Sequence, residues 1–155
     1  MSQLLTKKEL LILTKLRENS RKSLASISRE TGIPISTVFE KVNDLGEEII
    51  SKYSPLLDFS KIGFGLKVNF LLKSVKKKDE LKKFLIENKN VNSVLRINRE
   101  FDFFVECFFS SMKEIEEFKE SIKNFKIQDK REFFIIEEIK KEEFFTKPEH
   151  IEMLS

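Results

Sequence analysis

The hydrophobic period of this chain changes at Ile62-Gly63-Phe64-Gly65, and that change limits what it can fold into. Before it, apolar residues recur at helical spacing. After it, LKVNFLLK alternates, with Leu66, Val68, Phe70 and Leu72 on one side. A chain of 155 residues is one large domain or two small ones. The switch in period places the division near residue 60: an N-terminal domain at 1–60, a second at 61–140, and a tail at 141–155.

The first part reads as three helices. Thr6-x-x-Glu9 is a capping box ahead of LLILTKL, whose leucines share a face. Ser23 caps a second helix that buries Leu24 and Ile27. Gly32 stops it and Pro34 prevents simple continuation. A third helix spans about Ile35 to Leu45. Val38, Val42 and Leu45 form its buried stripe, with Phe39 beside them. EIISKYSPLLD then reads as two short strands. Two helices about a Gly-containing turn, braced by a preceding helix and followed by a β-ribbon, make a winged helix-turn-helix.

In such a unit the third helix enters a major groove of double-stranded DNA. Ser36, Thr37, Glu40, Lys41 and Asp44 are expected on its outer face. Ser36 and Thr37 sit near the helix N-terminus, where N–H groups and hydroxyls meet phosphate or a base edge. Lys41 reaches phosphate or guanine, and Glu40 accepts from cytosine. Arg29 and Lys52 are candidates for backbone contacts, as are Arg21 and Lys22. Small three-helix units also serve as protein-interaction modules, and Glu40 and Asp44 repel phosphate. That alternative stays open.

The second part reads β-α-β-β-α-β, the order of the ferredoxin-like unit, so the fold class is α+β. KDELKKFLIENK is its first helix. SSMKEIEEFKESIKNF is its second, with Ile115, Phe118, Ile122 and Phe125 on one face. VNSVLRIN, FDFFVECFF and KREFFIIEEI are strands. Helices cover one face of such a sheet, yet Phe104 and Phe108 alternate against Phe103 and Val105, and Phe134 and Ile136 against Phe133 and Ile135. Apolar groups on both faces call for a second cover. A self-complementary homodimer through Phe104, Phe108, Phe134 and Ile136 is the simplest one. The other is the tail, with Phe144 and Phe145 folded over this face.

Several classes are excluded by what the chain lacks. His150 is the single histidine and Cys107 the single cysteine, so no cysteine metal cluster forms, a zinc site is not expected, and His-based catalysis has one poorly placed candidate. Four glycines make no phosphate-binding loop. No catalytic residue, cofactor or metal is therefore expected. No apolar run is long enough to span a membrane, and no signal-peptide pattern opens the chain, so a cytoplasmic protein is expected. The net charge of +3 is too small to define a nucleic-acid binder by itself.

The two parts together, in this order, resemble the Lrp/AsnC family of transcription regulators. LLILTKLRENSRKSLASISRETGIPISTVFEKVNDL is similar to the family's helix-turn-helix. Ile62-Gly63-Phe64-Gly65 resembles the end of its linker, and VLRINREFDFFVECFFSSMKEIEEF its effector-domain core. The resemblance implies a sequence-specific DNA-binding regulator that dimerises through its C-terminal domain. Family members often assemble further into tetramers or octamers and respond to amino acids. It implies an effector region at Asn98, Arg99 and Asp102. The family usually has Gly in that turn where Arg99 stands, and a bulky side chain there would reshape the site. Siroheme decarboxylases share the architecture, but their substrate wants a basic pocket with histidines.

Overall fold

The computed structural model describes residues 5–154; Met1 to Leu4 and Ser155, the outer ends of the expected N-terminal domain and tail, lie outside it. The chain forms two compact units. One combines the residues up to Pro55 with those from Ile139 on; the other is Leu56–Glu138.

The first unit holds α1 (Lys7–Glu18), α2 (Leu24–Thr31) and α3 (Ile35–Glu48). Thr6 caps α1: its hydroxyl accepts the Glu9 N–H at 3.3 Å, and the Glu9 carboxylate accepts the Thr6 N–H at 2.7 Å. The Ser23 hydroxyl caps α2 by accepting the Ser26 N–H at 3.1 Å. Gly32 ends α2 at φ 72°, a left-handed conformation that a side chain would strain, and its N–H reaches the Ser28 carbonyl at 2.9 Å. The Ser28 hydroxyl donates to the Ile33 carbonyl at 2.6 Å, pinning the turn. Pro34 then opens α3, where its missing N–H is no loss. Ile12, Leu16, Ile27, Ile33, Val38 and Leu45 close one core between the three helices.

The sequence predicts a β-ribbon wing after α3, and none forms. The helix runs three residues past Leu45, through Gly46, and residues 50–58 adopt neither helix nor strand. Glu47 and Glu48 favour helix, and one interior Gly costs only about 1 kcal/mol. An isolated two-stranded hairpin is marginal in water, and Ile49, Tyr53 and Leu56 are left half exposed. The tail also departs from the sheet-covering alternative. It groups with the first unit, where Arg17 of α1 binds Glu142 at 2.7 Å and the Phe144 carbonyl at 3.1 Å.

The second unit is a four-stranded antiparallel sheet with α4 (Lys78–Glu87) and α5 (Met112–Lys123) on one face. Its strands are β1 (Leu66–Ser74), β2 (Val91–Arg96), β3 (Phe103–Phe109) and β4 (Ile127–Phe134), in the order β2-β3-β1-β4. That is the ferredoxin-like arrangement. Side chains alternate strictly between the two faces: Val68, Phe70 and Leu72 of β1 and Phe103, Val105, Cys107 and Phe109 of β3 are buried under the helices. Phe118 of α5 packs between Phe70 and Phe109, with ring centroids 5.1 and 5.7 Å away. No described helix is long and apolar enough to cross a membrane.

Candidate nucleic-acid interface

The core contacts of α3 set which side chains face outward. Val38 and Leu45 are buried and Val42 half-buried, so Ser36, Phe39, Glu40, Asn43, Asp44 and Glu47 stand exposed. Phe39, expected beside the buried stripe, is 55% exposed instead. Thr37 and Lys41 lie on the flank, both half-buried. Lys41 Nζ sits 2.9 Å from Glu9 of α1 and 3.7 Å from Asp44. Glu9 raises the Lys41 pKa above the ordinary lysine value. The Thr6 N–H and then Lys41 hold the Glu9 carboxyl down to about 2. The sole cation of α3 is thus neutralised by a neighbouring helix rather than held out on the exposed side.

Basic groups around α2 divide into bound and unbound. Lys22 is fixed between Glu18 and Glu30, at 3.1 and 2.8 Å, and Lys15 also meets Glu30 at 3.1 Å. Arg21 and Arg29 are exposed, Arg29 in the last turn of α2 just before Gly32, and Lys52 is exposed beyond α3. None of these three side chains pairs with another described residue.

The expected effector turn joins β2 to β3. Ile97 N–H donates to the Asp102 carbonyl at 3.0 Å, closing it. Arg99 occupies it at φ 71°, the left-handed region that favours glycine. Asn98 and Arg99 are exposed. Asp102 is half-buried: its carboxylate accepts the Ser74 N–H at 2.9 Å and faces Lys78 Nζ at 2.6 Å. Burial alone would raise its pKa, but Lys78 and the Ser74 N–H outweigh that and hold it below the usual aspartate value. Asp102 also lines a cavity of ≈ 390 Å³ with Lys78, Lys82, Ile86, Val94 and Arg96, which Asn98 and Arg99 do not line. The lysines' spacing on α4, four residues apart, was a signal available in the sequence.

The open face of the sheet carries Phe104, aligned with Leu71 and Leu95, and Phe108, aligned with Lys67. Phe108 is already covered in part: Phe59 lies 4.4 Å away, centroid to centroid, and Lys67 Nζ 5.5 Å above the ring. Phe134 is a correction. It pairs with Val68 and so belongs to the helix side, whereas Phe133, paired with Asn69, is on the open face. Ile136 lies past the end of β4 and is fully exposed. Alternation separates two sets of side chains but does not say which set faces the helices, and one step of register exchanges them.

Cys107 is buried, and burial, with Glu106 adding to it, pushes its thiol up to about 12. His150 packs edge-on to Phe144, centroids 5.1 Å apart. Among the described residues no group of His, Cys, Asp or Glu is arranged to hold a metal ion.

No family model matches the chain. An HTH-type transcriptional regulator of Pyrococcus furiosus is 27% identical over 141 residues, 88% of this chain and 94% of that protein. Among solved structures, a Neisseria meningitidis transcriptional regulator in complex with L-Met superposes with a TM-score of 0.80 at 24% identity, covering 89% of this chain and 94% of its own. Bacillus subtilis LrpC superposes at 0.81 with 21% identity, covering 89% and 99%.

Proposed function

We propose that this chain, which has the fold of the Lrp/AsnC regulators, is a DNA-binding transcription regulator. It binds as an oligomer built on a homodimer and is not an enzyme. The observation that carries this reading is the α2–Gly32–α3 unit. A left-handed glycine cap and Pro34 fix two helices about a short turn, and the second presents a solvent-facing row of polar groups and one ring. The name of the Pyrococcus relative, which this chain matches over nearly its whole length, supports the same role. Arg21, Arg29 and Lys52 supply the phosphate contacts.

The open sheet face is the pairing surface. Leu71, Leu95, Phe104 and Phe133 lie together there, Leu95 57% and Phe133 47% exposed. Covering a ring of this kind is worth about 1.5–3 kcal/mol. The cavity beside Asp102 is the effector site. Lys82 and Arg96 suit a carboxylate, Asp79 and Asp102 an ammonium, and Ile86 and Val94 an apolar side chain, which together describe an amino acid. The L-Met bound by the Neisseria protein supports that class. The protein works in the cytoplasm.

A gel-shift titration with the DNA upstream of the protein's own gene tests this, at two salt concentrations and with random duplex as competitor. A shift that survives competitor and weakens with salt is expected, because phosphate contacts release counterions. No shift at low salt from folded protein would overturn the reading. It would favour a protein-docking role for the acidic α3 face of Glu40, Asp44 and Glu47.

A further inference from the structure

We infer that α3 specifies its operator through cytosine, adenine and a thymine methyl, and not through guanine. Glu40 accepts from cytosine N4, Asn43 pairs with adenine, and Phe39 packs on the methyl group. The inference rests on the reading above that α3 enters a duplex.

Three features support it. First, the exposed side of α3 holds Ser36, Phe39, Glu40, Asn43 and Glu47, which spans about 10 Å along the axis from Ser36 to Asn43, or about three base-pair steps. Glu40 and Asn43 are three residues apart and Phe39 and Asn43 four, so the reading groups share one side of the helix. Second, guanine shows only acceptors, N7 and O6, in the major groove, and the bidentate contact that most often reads it comes from a cation. Lys41 is the one cation of α3, and Glu9 holds it on the flank at 2.9 Å. A carboxylate at Glu40 meets those acceptors with repulsion and meets the cytosine amino group with a hydrogen bond. Third, the division of labour is complete without Lys41. Arg29 and Arg21 stand unpaired in and before α2, available to phosphates, which fix register but not sequence.

Asn43 is the adenine reader because its amide offers one donor and one acceptor, matching N7 and N6 of adenine together. Phe39, 55% exposed beside Glu40, has no burial within its own unit to explain it. A thymine methyl gives it an apolar contact in an otherwise polar groove.

The test selects duplexes from a randomised pool with the full chain and measures affinities by fluorescence anisotropy. Circular dichroism confirms that each variant is folded. The expected half-site contains cytosine and adenine on one strand, about one step apart. Glu40→Gln should change the preference at the cytosine position to adenine, since glutamine pairs with adenine. Asn43→Ala should lower the affinity for the selected site by about 5- to 150-fold and erase discrimination at the adenine. Arg29→Ala should weaken all sequences alike. A selected site whose base preferences survive both α3 substitutions would overturn the base assignment while leaving DNA binding intact. So would a uniform loss of affinity across sequences. Failure to enrich any duplex would overturn the DNA reading as well and point to a protein partner for this face.

Discussion

Arg99 offers a prediction that runs against the usual direction of mutation: Arg99→Gly should stabilise the protein. Its φ of 71° places a Cβ in a conformation that costs an L-residue about 1–2 kcal/mol. Nothing else offsets that locally. The side chain is exposed and pairs with no other described residue. Glycine would remove the strain but gain freedom in the unfolded chain, which returns about 0.4–1 kcal/mol. The net expectation is a gain of about 0.5–1 kcal/mol. Arg99→Ala is the control, since it deletes the side chain and keeps the Cβ. It should lie within about 0.5 kcal/mol of the parent. Urea denaturation at one fixed protein concentration reads the difference. With m near 1–3 kcal/mol/M, the midpoint for the glycine variant should rise by a few tenths of a molar at about constant m. An unchanged or lower midpoint would refute the strain argument. A rise as large in Arg99→Ala would assign the effect to charge instead.

Asp102→Ala should cost about 1–3 kcal/mol, because it orphans the Ser74 N–H at a residue only 1% exposed. As the folded pKa of Asp102 is depressed, its contribution is complete above the ordinary aspartate value and fades as pH falls below it, so acid melts of parent and variant should converge. Glu9→Gln breaks the Lys41 pair and frees that ammonium. Random duplex should bind more tightly, with a salt slope steeper by about 0.9, and an unchanged slope would place Lys41 away from phosphate. Native Cys107 should resist a thiol-specific reagent until denaturant is added, given its burial and a pKa near 12; prompt labelling would contradict that packing. Phe104→Asp should yield monomers in sedimentation, whereas Phe134→Asp, on the helix side at the sheet edge, should keep the dimer; the reverse pattern would move the interface.

Much of the candidate site was legible because local chemistry decides it. Thr6-x-x-Glu9, Ser23, Gly32 and Pro34 each satisfy or withhold backbone groups within one turn, so helix ends and the helix-turn-helix followed from residue order. The alternation in LKVNFLLK and FDFFVECFF needed no tertiary information to be recognised as sheet, and the element order then left the ferredoxin-like unit as its arrangement. The missing wing shows the limit. Apolar pairs such as Ile49-Ile50 suit a strand only when another strand is there to pair with, and that is a property of the fold rather than of the segment.

Three details of the candidate sites rest on tertiary structure. Lys41 looked like a reading cation by helical spacing, but its charge is claimed by Glu9, thirty-two residues away in sequence. Phe133 and Phe134 were placed on opposite faces by period, but only the register Phe133↔Asn69 says which one is open. Asp102 stands in the β2–β3 turn, and its cavity companions Lys78 and Lys82 are brought to it by α4. The sequence by itself determined the two-part order, the helix caps and turn, and the two-sided apolar sheet, because those depend on near neighbours and on period. Which charges are spent on one another and which face meets solvent were decided only by the tertiary structure, because long-range pairing and register place groups together that the chain keeps far apart.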